Sequence, residues 1–430
     1  MLSSCKNFDE RIEAWVSHAR RPGMRFRELL AALPSVYPTL VLAAVRRMAS
    51  RGQIRPADSL ALCVQTRQRE QVHRPSDLLP LPHPLNFEWR FTPETSRSLL
   101  NGARDLTDSS SPVLLFGTPG VAAQAIVSPI DRPTEFLGEE NLVTRRILRL
   151  NAMMGLPLRL VDTRPSSRIT AGAIIVDPPW YLDYQIPMLT AAASRLRPSG
   201  FILFSAPPEG VRASAESERQ LLLCSADRLG LELIGVYPSE LCYETPFFER
   251  NALAAAGVLV DYPWRRGDLM VFRKAADSPK LAIRVLDRPC EWQEVEIGRM
   301  RVFVRTGGKQ FAELGLSSVV DGDVLPSVSR SDPRRPHAAV WTSGNRLFDT
   351  TDATSVIQAA VLAARARLGS STSPLTWCTI PGRNAVERMA RKLVAISARE
   401  ADEERAGRGL TSWSGASRER RNRRYQEQAC

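Results

Sequence analysis

Between residues 112 and 276 short apolar runs alternate with amphipathic stretches, and nothing else in the sequence constrains the fold as tightly. SPVLLF (111–116), TEFL (134–137), LRLVD (158–162), AGAIIV (171–176) and GFILFSAP (200–207) have the length and composition of buried strands. VAAQAIV, ENLVTRRILRLNAMM, IPMLTAAASRL and the segment 214–229 separate or follow them with helical spacing. LELIGVY and DLMVFRKA close the series as a strand pair. Repeated strand–helix units of this kind predict a doubly wound α/β sheet, a Rossmann-like domain over residues 93–276. Its first helix is expected to start at Thr92-Pro93-Glu94, which supplies an N-cap, a proline at the first helical position and an acid in the first turn.

The flanks read differently. Residues 1–65 contain an amphipathic DERIEAWVSHA with Ile12, Trp15 and Val16 on one stripe, then FRELLAAL, then a helix opening at Pro38. QIRPADSLALCV follows and reads as two short strands around a turn, which makes the segment a winged-helix-like domain. A DNA-reading module and a docking or dimerisation module both fit that pattern. Residues 66–92, with Pro75, Pro80, Pro82 and Pro84, are expected to be a linker. Residues 280–396 predict a small β-rich or α+β domain from LAIRVL, WQEVEIG and RMRVFVRT, with a single helix at ATSVIQAAVLAARARLG. Residues 397–430, including RERRNRR, are expected to be a disordered Arg-rich tail.

The 58 Lys and Arg against 46 Asp and Glu leave a net charge of +12 on 430 residues. That excess favours a polyanionic partner, although an Arg-rich chain from a GC-rich genome would show it too. Seven scattered cysteines without a C-x-x-C pair, and four isolated histidines, predict neither a zinc site nor a disulfide framework. Nothing resembles a signal peptide or a membrane span, so a cytoplasmic chain is expected, with no membrane association.

A doubly wound sheet binds ligands beyond the carboxyl ends of its strands. Four segments of this sequence end there. Gly117, Thr118 and Gly120 follow the first strand, Glu139 and Glu140 the second, Asp162 the third, and Asp177-Pro178-Pro179-Trp180 the fourth. Glycines admit close backbone approach to a cofactor, and an acid after the second strand can accept both ribose hydroxyl protons.

The tetrapeptide Asp177-Pro178-Pro179-Trp180 resembles the signature of amino-methyltransferases, most closely that of adenine-N6 enzymes. The resemblance implies a class I methyltransferase sheet, S-adenosyl-L-methionine as cofactor, and adenine in nucleic acid as acceptor. It assigns Gly117, Thr118, Gly120, Glu139, Glu140 and Asp162 to the cofactor, and Tyr181 and Asp183 to the substrate. Asp177 and the Pro178 carbonyl would accept the two amine hydrogens, the prolines would hold them in place, and Trp180 would stack on the base. DPPW here follows the glycine turn, an order similar to that of other amino-methyltransferase classes, with LLFGTPG in place of their Phe-and-Gly motif.

The layout also resembles branched-chain polyamine synthases, which are aminopropyltransferases. Their acidic loop is similar to Leu137-Gly138-Glu139-Glu140-Asn141-Leu142, and Asp183, Glu240 and Glu244 would then hold ammonium groups. A catalytically inactive scaffold in a protein complex is a third reading. Arg334, Arg335 and His337 suit either a phosphate contact or a solvated loop, and Trp264-Arg265-Arg266 a structural turn or a substrate channel.

Overall fold

A computed structural model of the protein describes residues 7–63, 74–155, 158–161, 170–260, 262–275, 291–306, 315–350, 352–367 and 380–407. LAIRVL, Asp162 and RERRNRR lie outside the described residues.

The chain begins with four helices, α1 (Phe8–Ala19), α2 (Phe26–Ala32), α3 (Pro38–Ser50) and α4 (Pro56–Cys63). Ile12, Trp15 and Val16 are buried on α1, as their spacing requires. The strand pair expected from QIRPADSLALCV is instead α4, and no strand is present among the described residues of this unit. Pro56 explains the difference: its fixed φ suits a first helical position, and Asp58 in the first turn pairs with Arg55 at 2.9 Å.

Residues 74–92 correct the linker expectation. Two 3₁₀ turns, Pro75–Leu78 and Pro84–Asn86, fold this stretch into a strap with Leu79, Leu81, His83, Arg90 and Phe91 buried. The prolines punctuate a packed segment rather than a solvated one. The Leu85 amide donates to His83 Nδ1 at 3.1 Å, so the ring proton sits on Nε2 and points at the Trp341 carbonyl 3.2 Å away. Full burial, with the Arg301 charge nearby, holds His83 well below its ordinary pKa and therefore neutral.

The sheet domain follows as α5 (Pro93–Asp105), β1 (Val113–Phe116), α6 (Pro119–Val127), β2 (Thr134–Leu137), α7 (Leu142–Met154), β3 (Arg159–Val161), β4 (Ala171–Val176), α8 (Leu182–Arg195), β5 (Leu196–Ala206), α9 (Ala215–Arg228), β6 (Leu231–Cys242), α10 (Phe247–Ala255) and β7 (Arg266–Lys274). The Thr92 hydroxyl accepts the Thr95 amide at 3.3 Å, which makes it the N-cap of α5. The seven strands run in the order β3-β2-β1-β4-β5-β7-β6, parallel from β3 to β5, with β7 antiparallel to both of its neighbours. This is the expected Rossmann-like sheet, with its switch in strand order between β1 and β4. Helix α10 was not anticipated from the sequence. Its Leu253, with Val258, Val260, Tyr262 and Trp264, completes the core of the N-terminal helices. At Gly210 a Cβ would stand 2.1 Å from the Pro34 carbonyl oxygen, so the same contact demands glycine.

The C-terminal domain is α+β. Its strands β8 (Trp292–Ile297), β9 (Met300–Arg305), β10 (Ser317–Ser318), β11 (Val340–Thr342) and β12 (Leu347–Asp349) form an antiparallel sheet in the order β10-β12-β11-β9-β8. Two helices, α11 (Ala353–Arg367) and α12 (Ile380–Gly407), pack on it, where one was expected. Helix α12 also overturns disorder for residues 397–407. Its buried stripe runs through Val386, Met389, Leu393 and Ile396 and continues as Ser397, Glu400 and Glu404. Polar residues carry the inward face there, so apolar periodicity fades while the helix persists.

Arg301, fully buried on β9, ties the strap to this sheet. Its Nη1 donates to the Leu81 carbonyl at 2.8 Å and to Glu88 at 2.7 Å, and its Nε donates to Glu294 at 2.5 Å. Replacing it would leave Glu294 without its guanidinium and Glu88 with Arg90 alone, in a poorly hydrated interface. We expect Arg301→Ala to cost about 3–5 kcal/mol in urea unfolding, against about 1 kcal/mol for an exposed pair such as Arg273–Glu232. A loss no larger than that of the exposed pair would show that this cluster does not clamp the strap.

Candidate active site

β4 is apolar and buried along its whole length, and it delivers Asp177 to the carboxyl edge of the sheet. Pro178 and Pro179 end the strand, since neither can donate a ladder hydrogen bond, and the Tyr181 amide closes a tight turn onto the Pro179 carbonyl at 2.7 Å. Gly117, at the end of β1, has φ +67. A Cβ there would lie 2.9 Å from Met188 Cε and 3.1 Å from the Asp177 carbonyl oxygen. The first and fourth strand ends therefore meet at the switch point, as the spacing of the motifs implied.

Asp177 is half-buried and heads a hydrogen-bond chain the sequence did not announce. Tyr243, at the end of β6, donates its hydroxyl to Asp177 Oδ1 at 2.6 Å. Ser205 of β5 lies 2.6 Å from the Tyr243 hydroxyl, and Trp180 Nε1 donates to Ser205 Oγ at 3.1 Å. An indole N–H can only donate and an ionised carboxylate can only accept, so the chain runs from Trp180 through Ser205 and Tyr243 to Asp177. Burial raises the Asp177 pKa to about 7, with the Tyr243 and Ser205 hydroxyls partly offsetting it. Burial, reinforced by the Asp177 charge, pushes the Tyr243 phenol well above its ordinary value, so it remains a donor.

Trp180 is less open than a stacking platform would be. Its ring meets Tyr243 edge-to-face at 5.4 Å, and the Arg265 guanidinium lies over it at 5.5 Å. Arg265 also stands over Trp89 at 4.6 Å and Trp264 at 5.1 Å, while buried Glu249 accepts from Arg265 at 2.6 Å and from Trp89 at 3.0 Å. The turn at residues 264–266 thus inserts a cation that fixes one side of Trp180.

The remaining residues separate. Thr118 is buried at the N-terminus of α6, and its Oγ1 has no hydrogen-bond partner among the described residues. Gly120 is glycine for a structural reason, because a Cβ would meet Arg90 Cβ of the strap at 3.3 Å. Glu139 and Glu140 are exposed at the end of β2. Asp183 is exposed but already paired: Arg330 of the C-terminal domain donates to its carboxylate at 2.7 and 2.9 Å. Glu244 is half-buried, accepts from Ser76 at 2.9 Å and lies 3.8 Å from Arg74, whereas Glu240 is exposed on β6. Tyr181 carries Arg212 at 5.1 Å and Arg330 at 4.3 Å over its ring.

The residues around Asp177 and Trp180 that sequence reasoning missed are Tyr243, Ser205 and Glu249, whereas Arg265 lies in the turn already singled out as structural or channel-lining. Ser205 left a faint signal, a hydroxyl at the end of the apolar run FILF. Tyr243 left none, since only the β5-β7-β6 order brings its strand end beside Asp177.

No protein-family model matches the chain, and no curated protein does. Among solved structures, the branched-chain polyamine synthase of Thermus thermophilus, in complex with N4-aminopropylspermidine and 5′-methylthioadenosine, shares 16% identity. The match covers 65% of this chain and 90% of that one, with a TM-score of 0.46. TrmN from Thermus thermophilus is 17% identical over 43% of this chain and 49% of its own, with a TM-score of 0.30. A methyltransferase from Pyrococcus furiosus is 15% identical over 43% and 83%, with a TM-score of 0.31. The strand order, rather than these superpositions, defines the architecture. No helix among the described residues is long and apolar enough to cross a membrane.

The raised Asp177 pKa has a consequence for stability. A carboxyl whose folded pKa exceeds its unfolded value of 3.8 holds an extra proton in the folded state between the two. Its contribution is intact below about pH 4 and lost as pH rises through about 7. Asp177→Asn should therefore melt higher than the wild type at pH 8, by a margin on the order of 1–4 kcal/mol, and equally at pH 4. Equal melting at both pH values would place the Asp177 pKa near its ordinary value.

Proposed function

We propose that this chain is an S-adenosyl-L-methionine-dependent methyltransferase that acts on an amino group held at Asp177, with adenine N6 in nucleic acid as the acceptor. The observation that carries this reading is a carboxyl with a pKa of about 7 at the switch point of a Rossmann-like sheet, backed by a one-way chain of donors. The neighbouring strand end, that of β1, suits the cofactor. Gly117 turns the backbone in the left-handed region, and the unpartnered Thr118 hydroxyl and the first amides of α6 stand beside it. Glu139 or Glu140, after β2, would take the ribose hydroxyls, and Asp162, outside the described residues, the adenine ring. When bound, S-adenosyl-L-methionine supplies an electrophilic methyl on a sulfonium and leaves as a thioether.

Asp177 accepts one amine hydrogen and the Pro178 carbonyl the other, which draws the nitrogen lone pair out of conjugation. As the amine becomes cationic, Asp177 is the group placed to take its proton. Tyr243 keeps its own hydrogen on Asp177 and fixes the carboxylate plane, while Trp180, braced by Arg265, bounds the acceptor pocket. Tyr181, flanked by two arginines, belongs to the acceptor side of the site.

Charge favours this reading over aminopropyl transfer to a polyamine. Asp183 and Glu244 are bound by other groups of the chain, and Arg212, Arg265 and Arg330 surround the DPPW turn. Since Arg330 holds Asp183 and Arg265 holds Glu249, the turn offers few free carboxylates to the ammonium groups of a polycation. The N-terminal helices close their apolar core against α10 and the residues after it, which leaves their outer face for a partner, protein or nucleic acid.

Calorimetric titration separates the readings. S-adenosylhomocysteine should bind more tightly than 5′-methylthioadenosine; the reverse order favours aminopropyl transfer, and no binding of either favours a scaffold. Asp177→Ala should abolish transfer with cofactor affinity retained, and wild-type transfer should rise with pH through about 7 as Asp177 ionises. Binding of a single-stranded oligonucleotide should fall with salt, with a log–log slope of about −0.7 per phosphate contacted. No affinity at low salt removes nucleic acid as the acceptor.

A further inference from the structure

The C-terminal domain reaches over the DPPW turn with the segment Val328–His337, and its three arginines are not equivalent. Arg330 donates to both oxygens of Asp183, at 2.9 and 2.7 Å, and covers Tyr181. Arg334 donates to both oxygens of Asp332, at 2.9 and 2.7 Å. Arg335 has no ion pair among the described residues, and its Nη1 is buried without a hydrogen-bond partner. Aromatic rings hold it instead: its guanidinium lies 4.5 Å over Trp341 and 5.9 Å over Phe87. Phe87 in turn meets Tyr181 and Tyr184 edge-to-face at 5.6 and 5.4 Å. The Nε and Nη2 of Arg335 are not buried in this way and make no hydrogen bond among the described residues, and Phe87 stands between the guanidinium and Tyr181 and Tyr184.

We propose that Arg335 is a specificity-determining residue that receives a phosphate oxyanion of the acceptor, on the side of the DPPW turn lined by Phe87 and Tyr181. The inference rests on the amino-group reading above and names the chemistry of the rest of the substrate. A guanidinium with no carboxylate partner among the described residues has N–H groups left for an oxyanion, which accepts short charge-assisted hydrogen bonds from them. Burial lowers the Arg335 pKa, with Tyr181 and Asp332 opposing, as for a cation that lacks a close carboxylate. Its neighbours select for the same ligand: Asp183 and Asp332, the acids that would repel phosphate, are already neutralised by Arg330 and Arg334.

The test uses the full chain with S-adenosylhomocysteine bound, and the probes adenosine, adenosine 5′-monophosphate, a short oligoadenylate and inorganic pyrophosphate. The monophosphate should bind about tenfold or more tightly than adenosine, as expected for charge-assisted bonds, and pyrophosphate should compete with it. In Arg335→Gln that preference should fall to about twofold or less, and Arg335→Lys should restore part of it, with S-adenosylhomocysteine affinity unchanged in both. A preference for oligoadenylate over the monophosphate identifies a strand as the phosphate's source, and the opposite order a free nucleotide. Equal binding of adenosine and the monophosphate by the wild type, or a preference that survives Arg335→Gln, overturns the proposal. If neither nucleoside nor nucleotide binds, while pyrophosphate binds the wild type and not Arg335→Gln, the oxyanion site stands and the adenine reading fails.

Discussion

Glu88 sits between two buried arginines, and the arrangement of the molecule around the site depends on that contact. Arg90 approaches it at 3.2 Å and Arg301 at 2.7 Å, so one carboxylate joins the strap to the C-terminal sheet. Arg90 also donates to the Pro80 and Ser76 carbonyls and packs its stem against Gly120 at the start of α6. Arg301 carries the connection to Glu294, whose other oxygen accepts the Leu142 amide at the start of α7 at 3.3 Å. Both helices that open the expected cofactor edge are thus fastened to the C-terminal domain through a small set of buried charges. A buried ion cluster of this kind contributes little net stability compared with apolar packing, but it tolerates few alternative geometries.

The same domain contact places Val328–His337 over the residues that follow Trp180. The charges there are unevenly divided. Acids near the turn are occupied by arginines, Asp183 by Arg330 and Glu249 by Arg265, while Asp177 alone faces hydroxyl donors rather than cations. That exception explains its pKa. A carboxylate beside a guanidinium would be driven down, whereas one that is buried and offered only hydroxyls rises toward neutrality.

Legibility in the sequence followed burial pattern. AGAIIV, SPVLLF and TEFL are strands because short apolar runs between turns have few other stable placements, and the strand order follows from parallel crossovers. The α4 and α12 expectations failed for two physical reasons. At Pro56 a proline and a first-turn acid outweighed a short alternating pattern, and along α12 the inward face becomes Ser397, Glu400 and Glu404. Glu400 accepts hydrogen bonds from Thr342 and Ser343 and lies 3.5 Å from Arg346, which is how a helix keeps a polar stripe inside, while burial pushes its carboxyl up to about 7 with Arg346 and Thr342 opposing.

For the site, local order alone brought Gly117, Thr118 and Asp177 to one sheet edge, because strand ends in a doubly wound sheet converge there whatever surrounds them. The sequence by itself therefore determined the sheet, its switch point and the placement of DPPW on it. Tertiary structure decided the rest. Tyr243 and Ser205 reach Asp177 only because β6 and β7 fold back beside β5. Arg265 braces Trp180, Arg330 pairs with Asp183, and Arg335 is left with an unpaired nitrogen. These are contacts between segments tens to more than a hundred residues apart, and periodicity and spacing describe only neighbours along the chain.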